Sequence, residues 1–188
     1  MNKWIMASTA AAFTGAAAFA RSEYERIHLD IVHYDIKTDK LGLEWNGFKA
    51  VFLSDLHDNS FGMKNEELLA AIEKEQPDIV LIGGDMLVVK EWAAPHFDML
   101  AHLYKRLVKR YAVYYAFGNH EQRMKEEPLT YPGWWQSYWK VLKDSGMHVL
   151  VNKSEEIIKN GTAMRISGIT LPRECYRKGR IPSLSAGY

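Results

Sequence analysis

The chain has 188 residues, 47% of them hydrophobic, and a formal net charge of +1 at pH 7, enough for one domain with its own core and too little for two ordinary ones. The balanced charge leaves no basic excess to neutralise a phosphate backbone, and no Lys/Arg run is interleaved with aromatics, which argues against nucleic acid as a primary partner. The single cysteine, Cys175, excludes an intrachain disulfide, a Cys-x-x-Cys pair and a cysteine metal cluster.

Residues 4–20 form an uncharged, alanine-rich stretch behind Lys3 and ahead of Arg21, Glu23 and Glu25. This pattern predicts a signal peptide or membrane anchor over residues 1–21, with Ala18-Phe19-Ala20 suited to signal-peptidase cleavage. Either version puts the domain outside the cytoplasm. A hydrophobic helix packed on the domain is the bland alternative. Residues 22–46 are expected to hold a connecting segment and a first strand, residues 47–172 the folded domain, and residues 173–188 an irregular tail.

Strand-like and helix-like stretches then alternate. Residues 48–54 (FKAVFLS) are mostly apolar, as in a strand buried on both faces. Asn65 is placed to cap a helix through about residue 75, with Glu66 and Glu67 in its first turn and Leu68, Leu69 and Ile72 on one face. Residues 79–82 form a second buried strand, completing a right-handed βαβ unit. A helix starting near Pro95 carries Leu100, Leu103, Tyr104, Leu107 and Val108 at helical spacing, and residues 112–117 give a third strand. Residues 134–143 read as helix, 149–151 as a short strand, and Asn160-Gly161 as a hairpin turn joining 155–159 to 162–167.

The three long strands all stop at chemistry-bearing residues: Ser54-Asp55-Leu56-His57-Asp58, Gly83-Gly84-Asp85 and Gly118-Asn119-His120-Glu121. In open α/β sheets the carboxyl ends of the strands carry the sites, because loops there bear polar groups on a rigid base. Asp55 and His57, two apart on a segment expected to be extended, should point to one side. Taken singly, Asn119 and His120 read as ordinary turn caps. Together with Asp55, His57 and Asp85 they form a hard-to-borderline ligand set suited to Mn, Fe or Zn, with Asp85 placed to bridge two ions.

The segments SDLHDNSFG, GGDM and FGNHEQ resemble, in order and spacing, the first three motifs of the calcineurin-like metallophosphoesterases, whose pattern runs D-x-H, G-D, G-N-H-[D/E], a lone His and G-H-x-H. The resemblance covers about residues 48–170 and, with the leader, is nearest to the exported or membrane-associated bacterial type. It implies an α/β (α+β) fold, the N-terminal part of a four-layer αββα sandwich. It also implies a phosphoester hydrolase in which water activated by two divalent metal ions attacks a phosphomonoester, phosphodiester or pyrophosphate. Asp55 and His57 would then bind the first metal, Asp85 would bridge, and Asn119 would bind the second. His120 would face the substrate phosphate, with Glu121 hydrogen-bonded to it as its orienter. The expected substrate is a phosphorylated small molecule or lipid, and the N-terminus offers a route to membrane association.

The resemblance stops there. The later His and the G-H-x-H do not follow; the one downstream histidine is His148. The sequence is therefore expected to be a C-terminally truncated form ending in the tail RKGRIPSLSAGY, with a non-catalytic remnant or a membrane-tethered binding module as the alternatives. The aromatic group Tyr131, Trp134, Trp135, Tyr138 and Trp139 is expected to pack a core, with a cleft wall or membrane-facing belt as the functional alternative.

Overall fold

The computed structural model describes residues 28–171 and 173–176, together with residues 15, 18–22 and 24. Most of the expected export segment and of the tail lies outside the described residues. No described helix is long and apolar enough to cross a membrane.

Four parallel strands form the central sheet: β1 (Ala50–Leu53), β2 (Ile79–Ile82), β3 (Ala112–Tyr115) and β4 (His148–Val149), paired in that order. Between them run α1 (Glu66–Glu75), α2 (Phe97–Val108), α3 (Asn119–Glu126) and α4 (Trp134–Ser145). Strands added in chain order with right-handed crossovers place all the connecting helices on one face. The register confirms this, since Val51, Val80 and Val113 align across the sheet, as do Leu53, Ile82, Tyr115 and Val149. All seven belong to the main core with Leu69, Leu100, Leu103, Tyr104, Leu107, Tyr138 and Leu142 from the helices. Leu100, Leu103 and Leu107 of α2 are almost entirely buried, each contributing about 1.5–3 kcal/mol of hydrophobic stabilisation.

The opposite face is covered by an antiparallel hairpin of β5 (Lys153–Lys159) and β6 (Thr162–Gly168), joined by Asn160-Gly161. Ile157 and Ile166 of this hairpin pack on Ile79, Tyr114 and Leu150 in a second, smaller cluster. The hairpin leaves Phe52 of β1 66% exposed. The fold is thus the mixed α/β arrangement that the alternating pattern predicts.

Three local expectations change. The first strand expected within residues 22–46 is not formed among the described residues; residues 28–38 are without regular structure and join neither sheet. Asn65 stands at the start of α1 but does not cap it. Its backbone is left-handed (φ 63°), and its Oδ1 instead accepts the Phe61 N–H at 3.0 Å, closing the preceding loop. Helix α3 follows β3 almost directly, where turn residues were expected; in NHEQRMKE only Glu121 and Met124 are buried, so hydrophobic periodicity is nearly silent there.

Candidate metal centre

The ends of β1 and β2 stay zipped beyond the strands. Asp55 N–H bonds to Gly84 C=O, His57 N–H to Asp85 C=O and Asp58 N–H to Met86 C=O, each at 3.1 Å. The backbone does this in an unusual conformation: Asp55, His57, Asp58 and Asp85 have φ of 56°, 52°, 58° and 52°. Asp55 and His57 therefore reach the same side through left-handed turns and not through the alternation of an extended segment. Such residues cost about 1–3 kcal/mol each and persist only where surrounding contacts over-determine them.

The result is convergence. Asp55, His57 and Asp85 each offer a ligand atom, and these atoms lie within 4.8 Å of one another. His57 Nε2 is 3.5 Å from Asp55 Oδ1. Asp55 and His57 are open to solvent while Asp85 is 8% exposed. Two carboxylates and an imidazole in this compass fit a divalent cation of hard-to-borderline character.

The third strand end meets the other two through glycine. A Cβ on Gly84 would stand 1.9 Å from Gly118 N, and one on Gly118 would stand 2.4 Å from the Asp85 carboxyl carbon. Only the absence of both side chains lets the loops touch. Asp85 Oδ1 accepts the His120 N–H at 2.7 Å. With its amide nitrogen toward Asp85, Asn119 donates to Oδ2 at 2.7 Å; the reversed amide presents its oxygen there, as a cation would select.

His120 is fixed from behind. Its Nδ1 accepts the Val89 N–H at 3.1 Å, so the neutral ring carries its proton on Nε2. The ring lies edge-on to His57, 5.1 Å between centroids. Burial lowers the His120 pKa below the usual histidine value, against the opposing pull of Asp85.

Glu121 does not orient His120. Successive helical residues point about 100° apart, and where His120 faces the ligands Glu121 turns into the core and is fully buried. Its Oε2 accepts Asp85 N–H and Gly118 N–H, both at 3.0 Å, and its Oε1 accepts Met86 N–H at 3.3 Å and the Tyr115 hydroxyl at 2.6 Å. Burial raises the Glu121 carboxyl pKa, while the Tyr115 hydroxyl and the backbone N–H groups pull it down. Behind Tyr115 stand Tyr138, 2.6 Å away between hydroxyls, and Tyr104, a further 2.8 Å on. Sequence reading placed these tyrosines in apolar stretches; the available signal was that a buried phenol needs a hydrogen-bond partner.

A family model described as calcineurin-like phosphoesterase matches residues 48–181. The chain belongs to the calcineurin-like phosphoesterases. It is also similar to the uncharacterized metallophosphoesterase YkoQ of Bacillus subtilis (strain 168), at 30% identity over 117 residues, 62% of this chain and 41% of that protein. The chain thus spans less than half the length of this relative. The calcineurin-like phosphoesterases generally bind divalent metals, and among the described residues Asp55, His57 and Asp85 form a group that could hold a metal ion.

Other candidates lie elsewhere in this calcineurin-like phosphoesterase. His148 sits on β4 on the hairpin side of the sheet, stacked on Tyr114 and bonded to Glu155 at 2.7 Å, so it does not complete the ligand set. His33 pairs with Glu75 at 2.8 Å and His102 lies 3.7 Å from Glu66. Tyr131 and Tyr138 are core residues, and Trp135 and Trp139 are half-buried against Phe117, immediately before Gly118. The aromatic group therefore braces the third strand end.

Proposed function

We propose that this protein hydrolyses phosphoesters with divalent metal ions held by Asp55, His57, Asp85 and Asn119. The observation that carries the reading is the meeting of Asp55, His57 and Asp85 ligand atoms within 4.8 Å at the carboxyl edge of the sheet. Asp55, His57 and Asp85 would hold one ion, and Asp85 with Asn119 a second. When bound, such ions supply positive charge for phosphate oxygens and a more acidic water. His120, neutral with its proton on Nε2, would donate a hydrogen bond to a phosphoryl oxygen. Phosphomonoesters, phosphodiesters and pyrophosphates share the anionic group this arrangement recognises. The alanine-rich leader supports placing the reaction outside the cytoplasm.

A second reading rests on the ligand count. Among the described residues the second position has two ligands, Asp85 and Asn119, which favours a module that binds one ion without turnover. Hydrolysis of bis(p-nitrophenyl) phosphate and p-nitrophenyl phosphate with Mn²⁺, alongside calorimetric Mn²⁺ titration, separates the two. The hydrolase reading expects turnover that Asp85→Asn abolishes; turnover unchanged by that exchange overturns it. One weak site and no turnover supports the binding module.

A further inference from the structure

The buried hydrogen-bond chain beneath the ligands has a fixed direction. Glu121 receives Asp85, Met86 and Gly118 main-chain N–H groups, which can only donate. Tyr115 adds its single hydroxyl hydrogen to Oε1 at 2.6 Å. With that hydrogen spent, the Tyr115 oxygen can only accept from Tyr138, and the Tyr138 oxygen in turn from Tyr104. The order is therefore Tyr104 to Tyr138 to Tyr115 to Glu121, every donor aimed at one carboxylate.

The three phenols come from different elements: Tyr104 from α2, Tyr115 from β3 and Tyr138 from α4, all fully buried. Phenylalanine would fill the same volume with no hydroxyl to satisfy. The hydroxyls are useful only because of where the chain ends, on the carboxylate that ties the Asp85 loop to the Gly118 turn.

We propose that Tyr115, supported by Tyr138 and Tyr104, is a positioning residue for the metal centre. It holds Glu121 so that Asp85 and the turn carrying Asn119 and His120 stay in ligand register, and it links the packing of α2 and α4 to that register. The proposal rests on the metal-dependent reading of the site. Supporting groups of this kind typically change metal affinity about 10–100-fold when removed.

The test uses the full chain and its Tyr115→Phe, Tyr138→Phe and Tyr104→Phe variants, with Asp85→Asn as the control that removes a ligand. Mn²⁺ affinity is measured by calorimetry, the ligand field by Co²⁺ visible absorption, and folding by thermal midpoint. Tyr115→Phe is expected to weaken Mn²⁺ binding about tenfold or more and to alter the Co²⁺ spectrum, with any turnover recovered at high Mn²⁺. Tyr138→Phe and Tyr104→Phe should follow in the same direction with progressively smaller effects. Tyr115→Phe with a lowered midpoint but wild-type Mn²⁺ affinity and Co²⁺ spectrum overturns the positioning role and leaves the metal reading standing. Unfolding of all three phenylalanine variants overturns it too, since the hydroxyls would then serve folding alone. A wild-type chain that binds neither ion removes the metal reading and this proposal together.

Discussion

Gly84 and Gly118 meet where two ligand-bearing loops touch, and a Cβ added to Gly84 would fall 1.9 Å from the Gly118 nitrogen. Because the obstacle is backbone, no rotamer change relieves it. Gly84 also has φ +91°, which any side chain resists. Gly84→Ala should therefore cost at least about 2–4 kcal/mol, combining left-handed strain with overpacking. Gly161→Ala is the control, at φ +84° with nothing within 4 Å, and should cost only the strain, about 1–2 kcal/mol. Urea midpoints of the two variants decide the matter; equal losses would mean that the loop contact contributes nothing.

His120→Asn keeps an acceptor near the Nδ1 position for the Val89 N–H while removing the Nε2 donor. Under the proposed mechanism this variant binds Mn²⁺ as the wild type does, and hydrolysis falls about 10²–10³-fold. Calorimetry and turnover on the same preparation check it, and full activity would exclude His120 from contact with the phosphate.

Burial pushes the Tyr104, Tyr115 and Tyr138 hydroxyls above the usual tyrosine value. The unfolded chain releases these protons near pH 10 and the folded chain keeps them. Above that pH the native state thus binds more protons, so this contribution to stability is complete below about pH 10 and falls as pH rises further. Tyrosinate absorbance should show at least three of the ten tyrosines silent in the native protein until it unfolds. Matching titrations in buffer and in urea would refute the buried network.

Much of this was legible beforehand, and the reasons are physical. Ile79–Ile82 and Ala112–Tyr115 stand out because buried parallel strands are continuously apolar. Helix α2 is clear because its buried residues repeat every three or four positions. The ligand cluster was readable from strand ends, although the positive φ values of Asp55, His57 and Asp85 leave no trace in residue type. Glu121 was misassigned because adjacency to His120 suggested contact, whereas a helix turns neighbours apart. Tyr115 looked like one more apolar strand residue; its role depends on Tyr138, 23 positions away.

Asp58, next to His57 at the first strand end, has a structural task. Its two carboxylate oxygens accept Val88 N–H at 2.9 Å and His96 N–H at 3.2 Å, pinning the middle and the far end of the loop between β2 and α2. Asp58→Ala should destabilise by about 1–3 kcal/mol by leaving those donors unpaired. It should also make the peptide bond after Lys90 more open to trypsin. A wild-type digestion rate would show that the loop is held by other contacts.

The strand order has a consequence for how the protein is made. Each strand of the parallel sheet pairs with the one before it in the chain, so assembly proceeds in the direction in which a polypeptide emerges, N-terminal end first. The last member of the Asp55, His57, Asp85 and Asn119 group precedes α4, β4 and the hairpin. No later described strand inserts between those already placed. In a nascent chain Asp55, His57 and Asp85, which meet within 4.8 Å, thus all precede α4, and the support beneath them is complete only once α4 has added Tyr138.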